Sequence, residues 1–344
     1  MNKAFFTYAL LIGCTLMMTI SFWENQWKIE HFSINPMIGP SAQTLINIGA
    51  KDSNLIVNSG ETWRLVTPMI LHAGIVHYAF NMVALWVIGS AVEKSHGFAA
   101  AAIIFIVSAV GGIILSALYL PEYISVGASG GIFGLTGACI ADIALNWTLL
   151  FSNSINEGRK KLRHGMVIVM LFFDILLNCV IGLTPFVDNF THMGGLVFGF
   201  LCGLTTMKRL SMDFFGVNPS KKKTFATNFS CSRFFGLMMS VTGIMVTTII
   251  LLQGDGETSP CSSCRYLSCA PMPPWKGEFE KWWYCDECDA VDAVAKFNYE
   301  QHVYDEVDLD CPNDIAVRIN ILEDAFTDMN SIQEKLPTYC RQYC

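Results

Sequence analysis

The chain has 344 residues, of which 52% are hydrophobic and only 15% are charged, and its formal net charge at pH 7 is −7. Soluble domains carry nearer to a quarter of charged residues, so this composition excludes an ordinary soluble protein and favours a chain that folds largely in lipid. The acidic balance also argues against nucleic-acid binding, which needs a basic surface.

Apolar segments long enough to cross a bilayer fill the first 254 residues. A hydrocarbon core about 30 Å thick needs roughly 20 apolar residues per helix. Seven segments meet this requirement: Ala4–Trp23, Gly74–Val92, Phe98–Leu120, Val126–Leu149, His164–Leu183, Phe190–Thr206 and Phe234–Leu252. The first could be read as a secretory signal, but it is longer than a signal's apolar run and lacks a clear cleavage site, so we expect a retained helix.

The lysines and arginines are distributed unevenly between the two sides of this arrangement. With a cytosolic N-terminus, twelve lie on the cytosolic side: Lys3, Lys94, Arg159, Lys160, Lys161, Arg163, Lys208, Arg209, Lys221, Lys222, Lys223 and Arg233. Only Lys28, Lys51 and Arg64 lie on the opposite side before the tail. Positive residues favour the cytosol, so the N-terminus is predicted there and, after seven spans, the tail on the exoplasmic side.

The tail, residues 255–344, has a different composition, with 18 acidic and 7 basic residues. It contains eight of the 13 cysteines: Cys261, Cys264, Cys269, Cys285, Cys288, Cys311, Cys340 and Cys344. An even number of cysteines on the oxidising side indicates disulfides that stabilise a small soluble domain, although their pairing does not follow from the sequence. Apolar residues near helical spacing also predict a helix over Asp314–Leu336.

A zinc site is the alternative for four of these cysteines. Cys261-x-x-Cys264 and Cys285-x-x-Cys288, twenty residues apart, fit a four-thiolate zinc site. We favour disulfides because the charge distribution places the tail outside the cytosol and because one zinc ion leaves four cysteines without a role.

Three predicted membrane helices begin with polar residues. His77 and Asn81 are four residues apart and share one face of the second helix. Ser129 lies in Gly127-Ala128-Ser129-Gly130-Gly131 at the start of the fourth helix, and His192 lies near the start of the sixth. These three helices run in the same direction in the predicted topology. At about 1.5 Å of depth per residue, His77, Ser129 and His192 are therefore expected at similar depth.

Two rows of small residues at a spacing of four predict close contact between the fourth and sixth helices. The rows are Gly130, Gly134 and Ala138 in one helix and Gly195, Gly199 and Gly203 in the other. Ordinary helix packing would explain each row alone. Together with Ser129 and His192, they predict helices close enough for a hydroxyl and an imidazole to reach about 2.6–3.2 Å.

These groups permit nucleophilic acyl transfer. His192 could remove the proton of the Ser129 hydroxyl, and donors around the site could stabilise the oxyanion. Asp188 could be a third member of the triad, but its position four residues before His192 favours a role in shaping the loop. Singly, a serine can bond to its own helix and a histidine can serve a proton path. His96 is expected at the interface, and Asp142, Asp174 and Asn178 have no assigned role.

In this order, the motifs resemble those of rhomboid serine proteases. The resemblance covers roughly Asn35–Thr206 and rests on Trp63-Arg64, His72-x4-His77-x3-Asn81, Gly127-Ala128-Ser129-Gly130, and His192 with its glycine row. It implies an all-α polytopic membrane protein with a six-helix bundle and one extra C-terminal transmembrane helix. The small Cys-rich soluble tail, expected from its composition, falls outside the family's usual pattern. The membrane domain is expected over residues 1–254, with a catalytic core at about 62–206.

The resemblance also implies the role of each matching residue. Ser129 and His192 would form the catalytic dyad, and His77, Asn81 and Gly127 would stabilise the transition state. Phe133 would stack on the catalytic histidine. The supporting residues would be His72, Gly130, Gly195, Gly199, Trp63 and Arg64. No metal or organic cofactor is implied.

The predicted function is an intramembrane serine endopeptidase that cleaves single-span membrane proteins near the exoplasmic face. Its partners would be transmembrane substrates and the lipid bilayer, in a Golgi, endosomal or plasma membrane of the secretory pathway. One alternative is a catalytically silent relative that binds transmembrane helices for trafficking or degradation. Another is a channel or carrier that uses His77 and His192 as a proton relay.

Overall fold

A computed structural model describes the chain over residues 3–32, 35–147, 158–207, 226–277, 281–285, 288, 291–311, 316–321 and 326–344, with the backbone alone for 158–164, 226–230, 262, 292, 330 and 334. The chain divides into two compact units, Met1–Ser268 and Cys269–Cys344. The first unit extends beyond residue 254, and the segment that follows contacts the first loop, which lies between the first two predicted spans. The Asn54 side chain donates to the Glu257 carboxylate (2.6 Å), and the Asn58 side chain donates to the Asp255 carbonyl (2.8 Å).

The first unit is helical. Its α-helices are α1 (Phe5–Glu24), α2 (Ala42–Ile48), α3 (Ser53–Val57), α4 (Ile75–His96), α5 (Phe98–Tyr119), α6 (Ser129–Leu145), α7 (Gly158–Ile181), α8 (Asn189–Thr206) and α9 (Ala226–Gln253). The helix α4 contains a π-helical turn over Leu85–Gly89. Two short 3₁₀ turns, Thr62–Leu65 and Thr67–Ile70, precede α4.

Each of the seven predicted spans coincides with a helix. Among the described residues, four helices are long and apolar enough to cross a membrane: Phe5–Glu24, Ile75–His96, Phe98–Tyr119 and Cys231–Gln253. The apolar helices Ser129–Leu145 and Gly165–Ile181 are shorter. These helices fit a multi-pass membrane protein, whereas the count of seven spans and their direction remain predictions. The residues Lys208, Arg209 and Lys221–Lys223, and the side chains of Arg159–Lys161 and Arg163, lie outside the description.

The start of α1 is held against α4 by a buried carboxylate. Glu93 accepts hydrogen bonds from the backbone N–H groups of Phe6 (2.8 Å) and Thr7 (2.9 Å) and from the Thr7 hydroxyl (2.9 Å). The first N–H groups of a helix have no partner within the helix, and they favour a negative charge. Glu93 therefore fixes the position of α1 through charge-assisted hydrogen bonds.

The predicted contact between the two rows of small residues is present. A Cβ atom added to Gly195 would collide with the Gly130 carbonyl, and one added to Gly199 would collide with the Gly134 backbone. One added to Gly203 would lie 2.8 Å from the Cα of Ala138. Such distances leave no space for a side chain, so α6 and α8 touch backbone to backbone.

The second unit contains a three-stranded antiparallel sheet in the order β1 (Asp292–Asn298), β2 (Val303–Asp310) and β3 (Ala316–Asn320), followed by α10 (Met329–Tyr343). Apolar residues of the sheet and of α10 form its core: Val307, Leu309, Ile319, Ile321, Ile332, Leu336 and Tyr339. The unit holds three disulfides, and the fourth closes the Cys261–Cys264 turn of the first unit.

All eight tail cysteines are paired, as Cys261–Cys264, Cys269–Cys285, Cys288–Cys340 and Cys311–Cys344. The disulfide prediction is therefore confirmed. The thiols that the zinc alternative required are all bonded to other sulfur atoms.

The all-α class is wrong for the tail. The helix predicted over Asp314–Leu336 is replaced by β3 at Ala316–Asn320 and by α10, which begins at Met329. Residues 312–315 and 322–325 of that stretch lie outside the description. Val317, Ile319 and Ile321 alternate with polar residues, and this period of two belongs to a half-buried strand.

We expect the backbone contact between α6 and α8 to make Gly199→Ala destabilising by about 1–3 kcal/mol, because the new methyl group would force the helices apart. The matched control is Gly13→Ala in α1, where nothing lies within 4 Å of an added Cβ. Alanine favours helix over glycine, so the control should be neutral or slightly stabilising. Thermal unfolding in detergent measures both. Equal stability of the two variants would contradict the tight contact.

Candidate active site

The first unit contains a partly open cavity of about 490 Å³ between α4, α6, α7 and the start of α8. A volume of this size suits a bound ligand segment. Five residues predicted for the site line it: His77, Asn81, Ser129, Phe133 and His192. The structure thus brings together polar residues from three helices that lie far apart in the sequence.

Ser129 is the first residue of α6, and Gly127 shapes the turn that precedes it. The φ angle of Gly127 is +137°, which side chains rarely adopt, and its N–H donates to the Pro68 carbonyl (2.9 Å). A Cβ at this position would lie 2.8 Å from the His77 ring and 3.5 Å from the Ser129 hydroxyl. The absence of a side chain at Gly127 therefore lets the His77 ring and the Ser129 hydroxyl approach the same point.

His192 lies in the first turn of α8, and its ring is fixed from one side. The Phe133 ring stacks on it, with centroids 4.3 Å apart and planes 10° from parallel. Asp188 begins the helix by accepting from the Thr191 N–H (3.0 Å) and hydroxyl (2.7 Å). The loop-shaping role expected of Asp188 is thus that of an N-cap.

Ser129 and His192 line the same cavity, but within the described residues no hydrogen bond joins their side chains. Nucleophile and base are often further apart before substrate binds, and the bond shortens in the complex. Ser129 and His192 therefore face one cavity without a direct side-chain hydrogen bond in this structure.

The Asn81 amide is engaged in its own helix. Its nitrogen donates to the His77 carbonyl (2.9 Å), and its oxygen is buried without a partner in the described chain. A role as oxyanion donor requires the amide nitrogen to turn towards the cavity, which the two-fold character of the amide torsion allows.

The other residues predicted as supporting lie outside the cavity lining. His72 is buried, and its ring packs edge-to-face against the His77 ring with centroids 5.5 Å apart. Arg64 donates to the Ile46 (2.6 Å) and Ala50 (2.9 Å) carbonyls, and its guanidinium lies 4.5 Å from the Trp63 ring centre. Arg64 therefore holds parts of the first loop together, and the half-exposed Trp63 ring packs against its guanidinium.

Lys51 holds the first loop against the segment before Ser129, and no feature of the sequence around it indicates this role. Its ammonium is fully buried and donates to the carbonyls of Leu120 (2.5 Å) and Tyr123 (2.6 Å). Its backbone also pairs with Ser125, which lines the cavity. The first loop is thereby fixed to the segment that leads to Ser129. Burial lowers the pKa of Lys51 from 10.5 to about 8, against the opposing effect of Asp188, Glu122 and Asp52.

A second contact comes from the segment after α9. The Ser268 hydroxyl accepts from the Asn189 N–H (3.0 Å), and the Asn189 side chain donates to the Leu267 carbonyl (2.7 Å). Ser268 also lines the cavity. No sequence signal marked this serine, because the contact joins residues about eighty positions apart.

The structure also locates the polar membrane residues that had no role. Asp174 and Asn178, on α7, line the cavity. Asp142 lies 3.6 Å from His96, the last residue of α4, and both side chains are buried within the protein, while the interfacial depth expected for His96 remains a prediction. In the part of the chain that the structure describes, no three His, Cys, Asp or Glu residues are grouped to hold a metal ion.

Comparison with known proteins gives the family. A family model described as the Rhomboid domain matches residues 59–209. RHOMBOID-like protein 2 of Arabidopsis thaliana is 36% identical over 256 residues, which cover 73% of this chain and 76% of that protein. The chain belongs to the rhomboid family. RHOMBOID-like protein 1 of the same plant is 35% identical over 70% of this chain, and the chain covers only 61% of its length.

Relatives of this rhomboid include both active and inactive members. The rhomboid protease GluP of Bacillus subtilis (strain 168) is 39% identical over 160 residues, 46% of this chain and 29% of that protein. The Inactive RHOMBOID-like protein 8 of Arabidopsis thaliana is 28% identical over 73% of this chain and 71% of that protein. Family membership therefore supports a rhomboid-type membrane fold, and the activity must be argued from the site.

The buried Lys51 makes a pH-dependent contribution to stability. Its pKa is about 8 in the folded chain and 10.5 when exposed, so the unfolded chain binds more protons between these values. Stability should therefore rise with pH through this window, by up to about 1.4 kcal/mol per unit. The free energy of unfolding of wild type minus that of Lys51→Met should therefore increase from pH 7.5 to 9.5.

Thermal unfolding of detergent-solubilised protein across that pH range measures the difference. The matched control is Lys28→Met, since Lys28 is an exposed lysine of the same loop. This control separates the loss of a buried lysine from the loss of an exposed loop charge. Parallel curves for wild type and Lys51→Met would contradict the buried, pKa-shifted lysine.

Proposed function

We propose that this rhomboid is an intramembrane serine endopeptidase in which Ser129 and His192 form the catalytic dyad. The single observation that carries the proposal is the cavity lined by both residues, by the His77 ring and by Phe133, which stacks on His192. The likeness to the rhomboid protease GluP supports it.

The reaction follows from the chemistry of these groups. His192 takes the proton of the Ser129 hydroxyl as the oxygen attacks the scissile carbonyl, and it returns the proton to the leaving amine. Water then enters the cavity from the exoplasmic side and hydrolyses the acyl-enzyme. The buried Phe133 ring keeps the imidazole in one orientation during both proton transfers.

The oxyanion that develops needs donors already in place. The Ser129 backbone N–H is the first of α6, where a helix has unpaired N–H groups. The His77 ring lies beside Gly127, close to the same point, and the Asn81 amide can turn from the His77 carbonyl towards it. These three groups form the proposed oxyanion site.

The proposed substrates are single-span membrane proteins, cut near their exoplasmic boundary. His77, Ser129 and His192 all lie within the first turn of their helices, so the cleavage site lies close to one membrane surface. The segment to be cut must unwind locally, since helical hydrogen bonds hold its carbonyls. We place the protein in a membrane of the secretory pathway, with a cytosolic N-terminus and the disulfide-bonded tail outside the cytosol.

A catalytically silent role is the second candidate, because an inactive protein is among the relatives. In that case the cavity would bind a transmembrane helix without cutting it. The engagement of the Asn81 amide by the His77 carbonyl fits this role as well as a resting protease. A direct assay of cleavage distinguishes the two.

Replacing the nucleophile or the base should abolish cleavage. We expect Ser129→Ala and His192→Ala to reduce kcat by at least about a thousandfold, because each member of such a unit is needed by the other. The assay uses the full-length chain in lipid vesicles with a single-span reporter, and mass spectrometry locates the cut.

The matched control is Ser240→Ala, a buried serine of α9 outside the cavity, which should cleave like wild type. Cleavage by Ser129→Ala at the wild-type rate and site would show that another group is the nucleophile. Binding of the reporter without cleavage by wild type would favour the silent role.

Asn81→Leu should lower kcat by about 10²–10³-fold and leave KM nearly unchanged, because an oxyanion donor acts only in the transition state. Leucine keeps the branching of the asparagine side chain at this buried position and removes its hydrogen-bonding groups. Steady-state kinetics with the same reporter separate kcat from KM. A rise in KM at unchanged kcat would instead assign Asn81 to substrate binding.

A further inference from the structure

The cavity continues from the proposed active site deeper into the helix bundle. On α6 its lining runs from Ser129 through Phe133 to Thr136, which is about 10 Å at 1.5 Å per residue. On the opposite side it is lined by Asp174, Leu177, Asn178 and Ile181 of α7. Asp174 is seven residues from the end of α7 and therefore lies about 10 Å below that end.

Asp174 and Asn178 form a polar pair in a largely apolar part of the lining. The Asn178 side chain donates to the Asp174 carboxylate (3.2 Å) and to its backbone carbonyl (2.9 Å). A carboxylate has about four acceptor sites, and Asn178 fills only one of them. Among the described residues, no other side chain donates to this carboxylate.

An ionisable group at this depth is expensive to place in lipid and usually serves a function. The outer face of α7 is apolar and exposed, as Phe172, Phe173 and Leu176 show, whereas Asp174 faces the cavity. The carboxylate is therefore directed at the space that a bound segment would fill. Its spare acceptor sites call for a donor from that segment.

We propose that Asp174, held by Asn178, is a specificity subsite for a hydrogen-bond-donating side chain, above all an amine, in the substrate's transmembrane segment. This inference rests on the proposed function only in taking the cavity as the place where the substrate binds. Asp174 lies about 10 Å along α7 from the end of that helix, which the predicted topology puts on the same side of the membrane as Ser129. That distance is about three residues of extended chain or about seven of helix.

Binding tests the subsite separately from catalysis. The protein is full-length Ser129→Ala in lipid vesicles, and the probes are fluorescent single-span peptides that carry either lysine or leucine at one position. The lysine is scanned from three to seven residues beyond the cleavage site, towards the membrane interior. We expect one position at which lysine binds about tenfold more tightly than leucine.

Added to Ser129→Ala, Asp174→Leu should remove that preference and Asp174→Asn, which keeps the shape, should reduce it. The matched control is Leu176→Ala on the exposed face of α7, which should keep it. Comparing one peptide pair across variants cancels the effect of lysine on membrane partitioning. No preferred position in the parent protein, or the same preference in Asp174→Leu, would overturn the subsite.

The two proposals fail in different ways. Loss of cleavage in the otherwise wild-type chain, with the lysine preference intact in the Ser129→Ala protein, would contradict the protease and keep the subsite. Cleavage at equal kcat/KM of lysine and leucine reporters at every scanned position would contradict the subsite and keep the protease.

Discussion

Backbone contact between α6 and α8 is the constraint on which the site depends. Lipid tails are as apolar as leucine, so helices in a bilayer gain little from the hydrophobic effect and associate through close van der Waals contact and hydrogen bonds. Gly130 and Gly195 touch through main-chain atoms, and Ser129 and His192 are their near neighbours in the sequence. A wider separation of the two helices would also move the Ser129 hydroxyl away from the His192 imidazole.

The ends of the same helices need partners that lipid cannot supply. Unpaired N–H groups at a helix start cost free energy wherever water is excluded, and each site helix meets this requirement differently. The N–H groups of Ile75 and Val76, at the start of α4, donate to the carbonyls of Ile38 and Met37 in the first loop. Asp188 caps α8 with its side chain. The loops are therefore part of the active-site frame, and Lys51 joins two of them.

Much of this arrangement could be predicted because it is local or periodic. Twenty-residue apolar runs gave the helix positions to within a few residues, and a spacing of four gave the contact between Gly199 and Gly134. The polar residues at the starts of α4, α6 and α8 were expected at one depth, and the cavity contains them. Such predictions need only helix geometry and the direction of each span.

The contacts that escaped prediction join distant segments. A lysine in a polar loop gives no sign that it will be buried under the Leu120 carbonyl, and Ser268 gives none that it will meet Asn189. In the tail, the short alternation around Ile319 was outweighed by a longer apolar pattern read as helix. A five-residue strand offers too few residues to distinguish a period of two from 3.6 without its partner strands.

Depth separates the two kinds of polar residue in the cavity. His77, Ser129 and His192 are the third, first and fourth residues of their helices, so about 4.5 Å or less of helix lies between them and the helix ends. At such depth a polar side chain can remain hydrated at modest cost. Asp174 lies about twice as far from the end of α7, where hydration is harder to keep. A carboxylate with open acceptor sites at this depth can bind a donor that enters the cavity, which is the role proposed for Asp174.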